Sequence, residues 1–306
     1  MENNTTEPQS SLPANRFKGR KTFFVTPDTS LMPESYLEDY LTHGYEAYVI
    51  SDNHACSFRK KIDLIVSIFP DSIVFFHIDH AADGIKWPSY IRELQQAYNN
   101  SIIIGVLYNK RINEAEAREL ERYYLLDVGI QGGCISLEFK RSRNFALIDK
   151  VMFANQAAGR RKTVRAMCDA LSNMSFDRIR VHMRTKELLR YKAKILDVSL
   201  GHFSCIFTEF PYEIPLYEKV EDIIMLINGI HIRADAVLVM KRENPNSDPL
   251  YVFMFTRPDG SSGLQADSAV RLGKKIYQMI TNETKKVLHD AFSKAGIEER
   301  NETLFL

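Results

Sequence analysis

The chain has 306 residues, of which 45% are hydrophobic and 26% charged, and its net charge is +1 at neutral pH. This composition is typical of a soluble globular protein of about two domains, and the balanced charge argues against a general polyanion binder. Since the sequence contains no apolar run of ~18 residues and no signal-peptide pattern at its N-terminus, we expect no membrane span and a cytoplasmic location.

The cysteines are few and widely spaced, which excludes a zinc-binding cluster or a disulfide framework on sequence grounds. No two of them form a C-x-x-C pair, and we expect buried thiols in a reducing compartment. They are Cys56, Cys134, Cys168 and Cys205.

Residues 1–19 are polar and predict a disordered tail, whereas residues 20–143 alternate apolar runs with amphipathic segments. Strands are predicted at 22–26, 46–51, 72–78, 101–108 and 133–138, and helices at 33–41, 57–69, 88–98 and 113–126. Asn113 and Glu116 are spaced as a capping box at the start of the last helix. Continuous apolar strands between helices predict a parallel sheet covered on both faces.

Five such units resemble the receiver domain of response regulators. The resemblance implies an acidic pair after the first strand, an acceptor aspartate ending the third, a Ser/Thr after the fourth and a lysine after the fifth. Here the acidic pair is reduced to Asp28, and the acceptor position is Phe76 or His77, with Asp79 beyond the strand end. Tyr108 and Asn109 stand in the Ser/Thr region, and Lys140 is the candidate lysine. The match is incomplete, so we predict a degenerate receiver-like domain that contacts a partner and is not phosphorylated. His77 and His80 are interpreted as core or edge residues, and no metal site is predicted.

Residues 144–159 predict a connecting helix, and residues 160–306 predict antiparallel β-structure followed by one long helix. The predicted strands are 176–184, 191–198, 203–208, 222–227, 231–242 and 250–256, separated by turns such as Asn228-Gly229. We expect a small β-barrel, with the helix at 265–295 covering an open end. A coiled-coil dimer contact is the alternative role for this helix.

A basic stretch, Gly159-Arg160-Arg161-Lys162-Thr163-Val164-Arg165, precedes this barrel. The region from Lys150 to Leu196 holds twelve Lys and Arg but three Asp and Glu, so basic charge is concentrated there. A later segment, Asp197 to His202, adds a carboxylate and a hydroxyl. Guanidinium groups match phosphate oxygens and the guanine O6/N7 edge, and a carboxylate accepts from guanine N–H groups. The combination suggests a guanine nucleotide, and a solvated basic face is the simpler alternative.

Arg161-x-x-x-Arg165 followed by Asp197-x-Ser199 resembles the signature of PilZ domains, small β-barrels that bind cyclic di-GMP (c-di-GMP). The resemblance runs from about Gly159 to the C-terminus and departs at the last position, where the family glycine falls at His202 and Gly201 stands one residue early. It implies c-di-GMP as the ligand, with no other cofactor. The ligand-binding residues that it implies are Arg160, Arg161, Arg165, Asp197, Ser199, Gly201 and His202.

The predicted architecture is therefore a receiver-like α/β domain joined to a PilZ-like barrel with a C-terminal helix. The predicted function is a c-di-GMP effector that signals through an unidentified protein partner. A PilZ-type adaptor that has lost the nucleotide is the alternative. A nucleic-acid binder using Arg178, Arg180, Arg184, Lys192 and Lys194 is a third reading that we do not favour. Because the sequence shows no recognisable catalytic set, we do not predict an enzyme.

Overall fold

The architecture is taken from a computed structural model. It describes residues 19–26, 34–51, 58–80, 82, 84–99, 101–111, 113–158, 163–182, 185–244 and 247–294. Within these residues a five-stranded parallel sheet, a closed six-stranded antiparallel barrel and a long C-terminal helix are present, which confirms the predicted fold class.

The N-terminal half is built from alternating strands and helices. Its strands are β1 (Lys21–Val25), β2 (Glu46–Ile50), β3 (Ile73–His77), β4 (Ile103–Asn109) and β5 (Cys134–Leu137). Its helices are α1 (Glu34–Thr42), α2 (Phe58–Ile68), α3 (Trp87–Ala97) and α4 (Glu114–Arg122). The strand order β2-β1-β3-β4-β5 is that of flavodoxin-like folds, so the carboxyl ends of β1 and β3 meet at the topological switch point. We call this sheet A.

The predicted cap of the fourth helix is confirmed. The Asn113 side chain accepts a hydrogen bond from the Ala115 amide and donates to Glu116. The helix differs from the prediction at its other end, where α4 passes into a π-helical segment, Tyr123–Val128, that stops at the left-handed Gly129. This segment buries Tyr124 and Val128 against the sheet, a tertiary contact that the helical period of the sequence does not encode.

A helix and a short strand lead into the barrel. They are α5 (Arg141–Ala154), which corresponds to the predicted connecting helix, and β6 (Ala166–Met167). The barrel strands are β7 (Asn173–His182), β8 (Thr185–Val198), β9 (His202–Glu209), β10 (Lys219–Ile227), β11 (Ile230–Asn244) and β12 (Ser247–Thr256). Strand order β8-β7-β10-β11-β12-β9 closes on itself through pairing of β9 with β8.

The hairpin of β7 and β8 extends beyond the barrel wall. Strand β10 pairs with β7 at residues 173–175, and β9 pairs with β8 from Lys192 onward. On the extending part, Ile179 lies opposite Leu188, and both side chains are about two-thirds exposed. The predicted strand at 176–184 is therefore present, but the Ile179 side chain is turned toward solvent.

The C-terminal helix α6 (Ala266–Lys294) packs on both halves of the molecule. Leu272 and Ile276 belong to the core that includes the barrel, whereas Leu288 belongs to the core between sheet A and its helices. Thr284 lies within 2.8 Å of the Tyr48 hydroxyl of β2. The sequence predicted the helix but not its contact with the N-terminal half.

One hydrophobic core runs through both halves. It includes residues on one face of sheet A, Ile148 and Met152 on α5, and barrel residues such as Ile195 and Phe253. This shared core does not mark a boundary between the two halves. The predicted domain limits at residues 20, 144 and 160 therefore stay predictions.

Candidate ligand-binding site

Strand β6 is the element that joins the two halves of the predicted motif. Met167 pairs with Asp197 and Ala166 with Val198, so the chain just before β6 lies beside the end of β8. Arg165 precedes β6 and its Nη1 atom lies 3.7 Å from the Asp197 Oδ1 atom. The guanidinium group and the carboxylate that the sequence placed in one site are therefore neighbours.

Asp197 is held in place by a second contact. Its Oδ2 atom accepts a hydrogen bond of 2.5 Å from the Ser204 hydroxyl, and Oδ1 is the atom nearest Arg165. The side chain keeps about a quarter of its surface exposed. A carboxylate with one fixed oxygen and one oxygen beside a guanidinium is oriented to accept from a ligand donor.

Ser199 forms the turn between β8 and β9. Its hydroxyl accepts from the amides of Gly201 and His202 and lies 3.1 Å from the His202 carbonyl, with the residue fully buried. The second half of the motif thus fixes the shape of the turn, and among the described residues Ser199 contacts the turn itself rather than the cavity described below.

Gly201 and His202 lie on the same turn. A Cβ at Gly201 would meet nothing within 4 Å, so this position does not require glycine for space. His202 is partly buried, and burial together with the positive charge of Arg165 lowers its pKa from the usual 6.5. An uncharged imidazole near Arg165 therefore occupies the position where the PilZ pattern has glycine.

A cavity of about 340 Å³ opens in front of Arg165 and Asp197. It lies between the barrel, α6 and the amino-terminal edge of sheet A, and its volume is within the roughly 300–1,000 Å³ typical of small-molecule sites. Charged side chains from all three sources line it: Arg165 and Asp197, Glu283 of α6, and Lys21 and Glu46 of sheet A. Its described lining does not include Ser199, Gly201 or His202.

Arg160 and Arg161 lie outside the described residues, within the segment 159–162. The residues on either side of this segment, Ala158 and Thr163, both line the cavity. Each of the two arginines is two positions from one of these wall residues.

Sequence reasoning missed the side of the cavity formed by sheet A. The glycine at position 19 is a sequence feature on that side that the structure explains. A Cβ there would lie 1.9 Å from the Ala157 carbonyl oxygen, so the two backbone segments pass too closely for any other residue. Lys21 and Glu46 could not be recognised as cavity residues from the sequence. Charged residues at the start of a strand are common, and these two are far from Arg165 along the chain.

The basic strand face considered for nucleic acid is largely paired with acidic or aromatic groups. Arg178 pairs with Glu218, and Lys192 lies 2.8 Å from Glu209. Arg180 lies over the Tyr212 ring at 3.9 Å, and Arg184 is outside the described residues. Paired cations have less charge to offer a phosphate backbone, so the structure does not favour this third reading.

Among the receiver-like positions that the structure describes, the residues at the end of β3 are not arranged as a free acceptor aspartate. His77 ends β3 almost fully buried, and Asp79 accepts hydrogen bonds from the Asn109 amide and from Arg111. Asp28 and Cys56 lie outside the described residues. In the described part of the chain, no group of three His, Cys, Asp or Glu is arranged to hold a metal ion, and no helix has the length and apolar character to cross a membrane.

No protein-family model and no curated protein matches the chain, but solved structures do. YcgR from Escherichia coli in complex with c-di-GMP is 16% identical, with a TM-score of 0.28, over 44% of this chain and 50% of that chain. The K. pneumonia MrkH–c-di-GMP complex is 18% identical, with a TM-score of 0.31, over 42% and 55%. MotI/DgrA, the Bacillus subtilis inhibitor of motility, is 16% identical, with a TM-score of 0.29, over 40% and 52%.

These three are PilZ-domain proteins, the family that the motif resembles. The chain spans about half the length of each matched structure.

Proposed function

We propose that this protein is an effector that binds c-di-GMP at the cavity between the barrel, α6 and sheet A. The observation that carries the proposal is the juxtaposition of Arg165 and Asp197 on the wall of that cavity. A guanidinium group can bind phosphate oxygens or the guanine O6/N7 edge, and the carboxylate can accept from guanine N1–H and N2–H.

Arg160 and Arg161 would complete the cationic part of the site. Their flanking residues, Ala158 and Thr163, lie in the cavity wall, which supports this assignment. Ser199 and Gly201 would act by shaping the turn that follows Asp197, and His202 would act from the same turn through its interaction with the charge of Arg165.

Signalling would proceed by protein contact through the N-terminal half. Since β3 ends in His77 and the nearby Asp79 is engaged by Asn109 and Arg111, sheet A has no free acceptor aspartate among its described strand ends. A conformational signal passed to a partner protein fits this arrangement better than phosphoryl transfer does.

Isothermal titration of the purified protein with c-di-GMP tests the proposal, with GTP as the control ligand and Arg161→Ala as the control protein. Binding at micromolar or lower Kd, lost in the variant and absent for GTP, is the expected result. No heat at high protein concentration would contradict it.

An adaptor that no longer binds nucleotide is the second candidate, and His202 is the observation that favours it. This side chain stands where the PilZ pattern has the smallest residue, and its pKa is lowered by burial and by the charge of Arg165. If the wild type fails to bind c-di-GMP and His202→Gly binds, the protein is an adaptor. If both bind with similar affinity, His202 is compatible with a working receptor.

A further inference from the structure

A second cation, Lys21, lines the same cavity as Arg165 and comes from the other half of the molecule. Lys21 is the first residue of β1 and lies directly opposite Glu46, the first residue of β2, in the parallel register. The two side chains form an ion pair in which each is about a quarter exposed. Lys21 is thus positioned at the cavity surface and is not buried beneath it.

Several contacts hold the Lys21 side chain in this orientation. Its ammonium lies 5.3 Å from the ring centres of Tyr48 and Phe69, and 3.4 Å from the Thr284 hydroxyl of α6. Such aromatic and hydroxyl contacts keep the ammonium group at the edge of the cavity in the absence of an anion.

The carboxylate that pairs with Lys21 has another donor. Glu46 accepts a hydrogen bond of 2.5 Å from the Tyr48 hydroxyl, whose pKa is raised by burial and by the Glu46 charge. Glu46 would therefore keep a hydrogen-bond partner if Lys21 moved toward an anion. Glu46 and Glu283 also place negative charge on the cavity wall, which disfavours a phosphate unless a cation compensates it.

We propose that Lys21 is a phosphate-binding residue of this cavity, exchanging part of its ion pair with Glu46 for a phosphodiester of the bound nucleotide. The ligand then lies between Arg165 on the barrel side and Lys21 on sheet A. This inference rests on the proposed function, because the anion that Lys21 contacts is the same c-di-GMP molecule.

Lys21 is also placed to couple the two halves of the molecule. Lys21 also contacts Thr284, and Thr284 contacts Tyr48, so the cation lies at the junction of β1, β2 and α6. A ligand that draws Lys21 toward the cavity changes this junction directly. Nucleotide binding would thereby change the contacts between sheet A and α6 without any change inside the barrel core.

Two substitutions that break the same ion pair separate a binding role from a structural one. Lys21→Met removes the phosphate contact, and we expect the Kd for c-di-GMP to rise about tenfold, as for loss of one charge-assisted hydrogen bond. Glu46→Gln removes the competing carboxylate and its repulsion of phosphate, and we expect the Kd to fall about threefold. A higher Kd for Lys21→Met together with a lower Kd for Glu46→Gln supports the proposal.

The matched control is Lys110→Met, which removes a lysine that pairs with Glu138 near the carboxyl end of β4. Its Kd should equal that of the wild type. If Lys21 only joins the two halves, Lys21→Met and Glu46→Gln will change the Kd in the same direction or not at all, and that result overturns the proposal. Failure of the wild type itself to bind c-di-GMP would instead overturn the proposed function, and this inference with it.

Discussion

At the scale of single residues, Arg165 is the described cation that the barrel places on the cavity wall. Its neighbour Asp197 is fixed by Ser204, whereas the described contacts of Arg165 are the 3.7 Å approach to Asp197 and its position on the cavity wall. A partly exposed guanidinium with one loose ion pair retains donors for a ligand, because an arginine carries five N–H groups.

Arg165→Ala should raise the Kd for c-di-GMP at least tenfold, since charge-assisted hydrogen bonds are worth about 1.5–3 kcal/mol. Arg165→Lys should give an intermediate Kd, because a lysine keeps the charge but cannot bind in a bidentate way. Titration calorimetry measures both. Arg190→Ala is the control, since Arg190 pairs with Asp177 on the exposed hairpin. Equal Kd values for Arg165→Ala and Arg190→Ala would exclude Arg165 from the site.

His202 makes stability depend on pH. Burial and the charge of Arg165 lower its pKa in the folded protein below the usual 6.5, so the unfolded chain binds the proton more readily. His202 therefore contributes stability that is fully present above pH 6.5 and is lost as the pH falls through the folded pKa. In urea unfolding between pH 8 and 5, the free energy of unfolding of the wild type should fall more steeply than that of His202→Gln. Parallel curves would contradict this assignment.

At the scale of elements, sequence patterns located most strands and helices but not the one that forms the site. The predicted helix at 265–295 is α6 at Ala266–Lys294, and the predicted strand at 250–256 lies within β12. Long periodic segments carry a strong signal because many side chains share one face. Strand β6 has two residues, Ala166 and Met167, too few to show any alternation. The proximity of Arg165 to Asp197 was therefore inferred from the motif resemblance and not from secondary structure.

The turn between β10 and β11 is an element whose conformation the sequence did predict. Asn228 and Gly229 both have positive φ, at 42° and 87°, as a tight hairpin turn requires. Gly229→Ala should lower the free energy of unfolding by about 1–2 kcal/mol, since an alanine in the left-handed region is strained.

Chemical denaturation measures the effect of Gly229→Ala, with Gly201→Ala as the control. A Cβ at Gly201 would meet no atom within 4 Å, and its φ is not positive, so its stability should stay close to that of the wild type. Equal losses in the two variants would show that turn geometry is not the cause.

At the scale of the whole molecule, the two halves are joined more tightly than two domains connected by a linker. One hydrophobic core includes Phe24 and Phe75 of sheet A and Phe203 and Phe253 of the barrel. Helix α6 adds Leu288 to the core on the other side of sheet A. The sequence could not reveal this, because each half has its own complete amphipathic pattern and the contacts between them come from scattered positions.

The shared core predicts that both halves unfold together. The single tryptophan, Trp87, is buried in the N-terminal half, so its fluorescence reports on that half alone. Circular dichroism in the far ultraviolet reports on the strands and helices of both halves. In urea the two signals should change with the same midpoint. A tryptophan transition clearly separated from the dichroism transition would show that the halves are independent.

The proposed function requires a guanine dinucleotide to bind between the barrel and sheet A. The most direct measurement is a crystal structure of the full chain grown with c-di-GMP. We expect ligand density in the cavity, with a guanine or phosphate within hydrogen-bonding distance of Arg165 and Asp197 and a phosphate facing Lys21. Density at another surface, or none in a protein that binds c-di-GMP in solution, would contradict it.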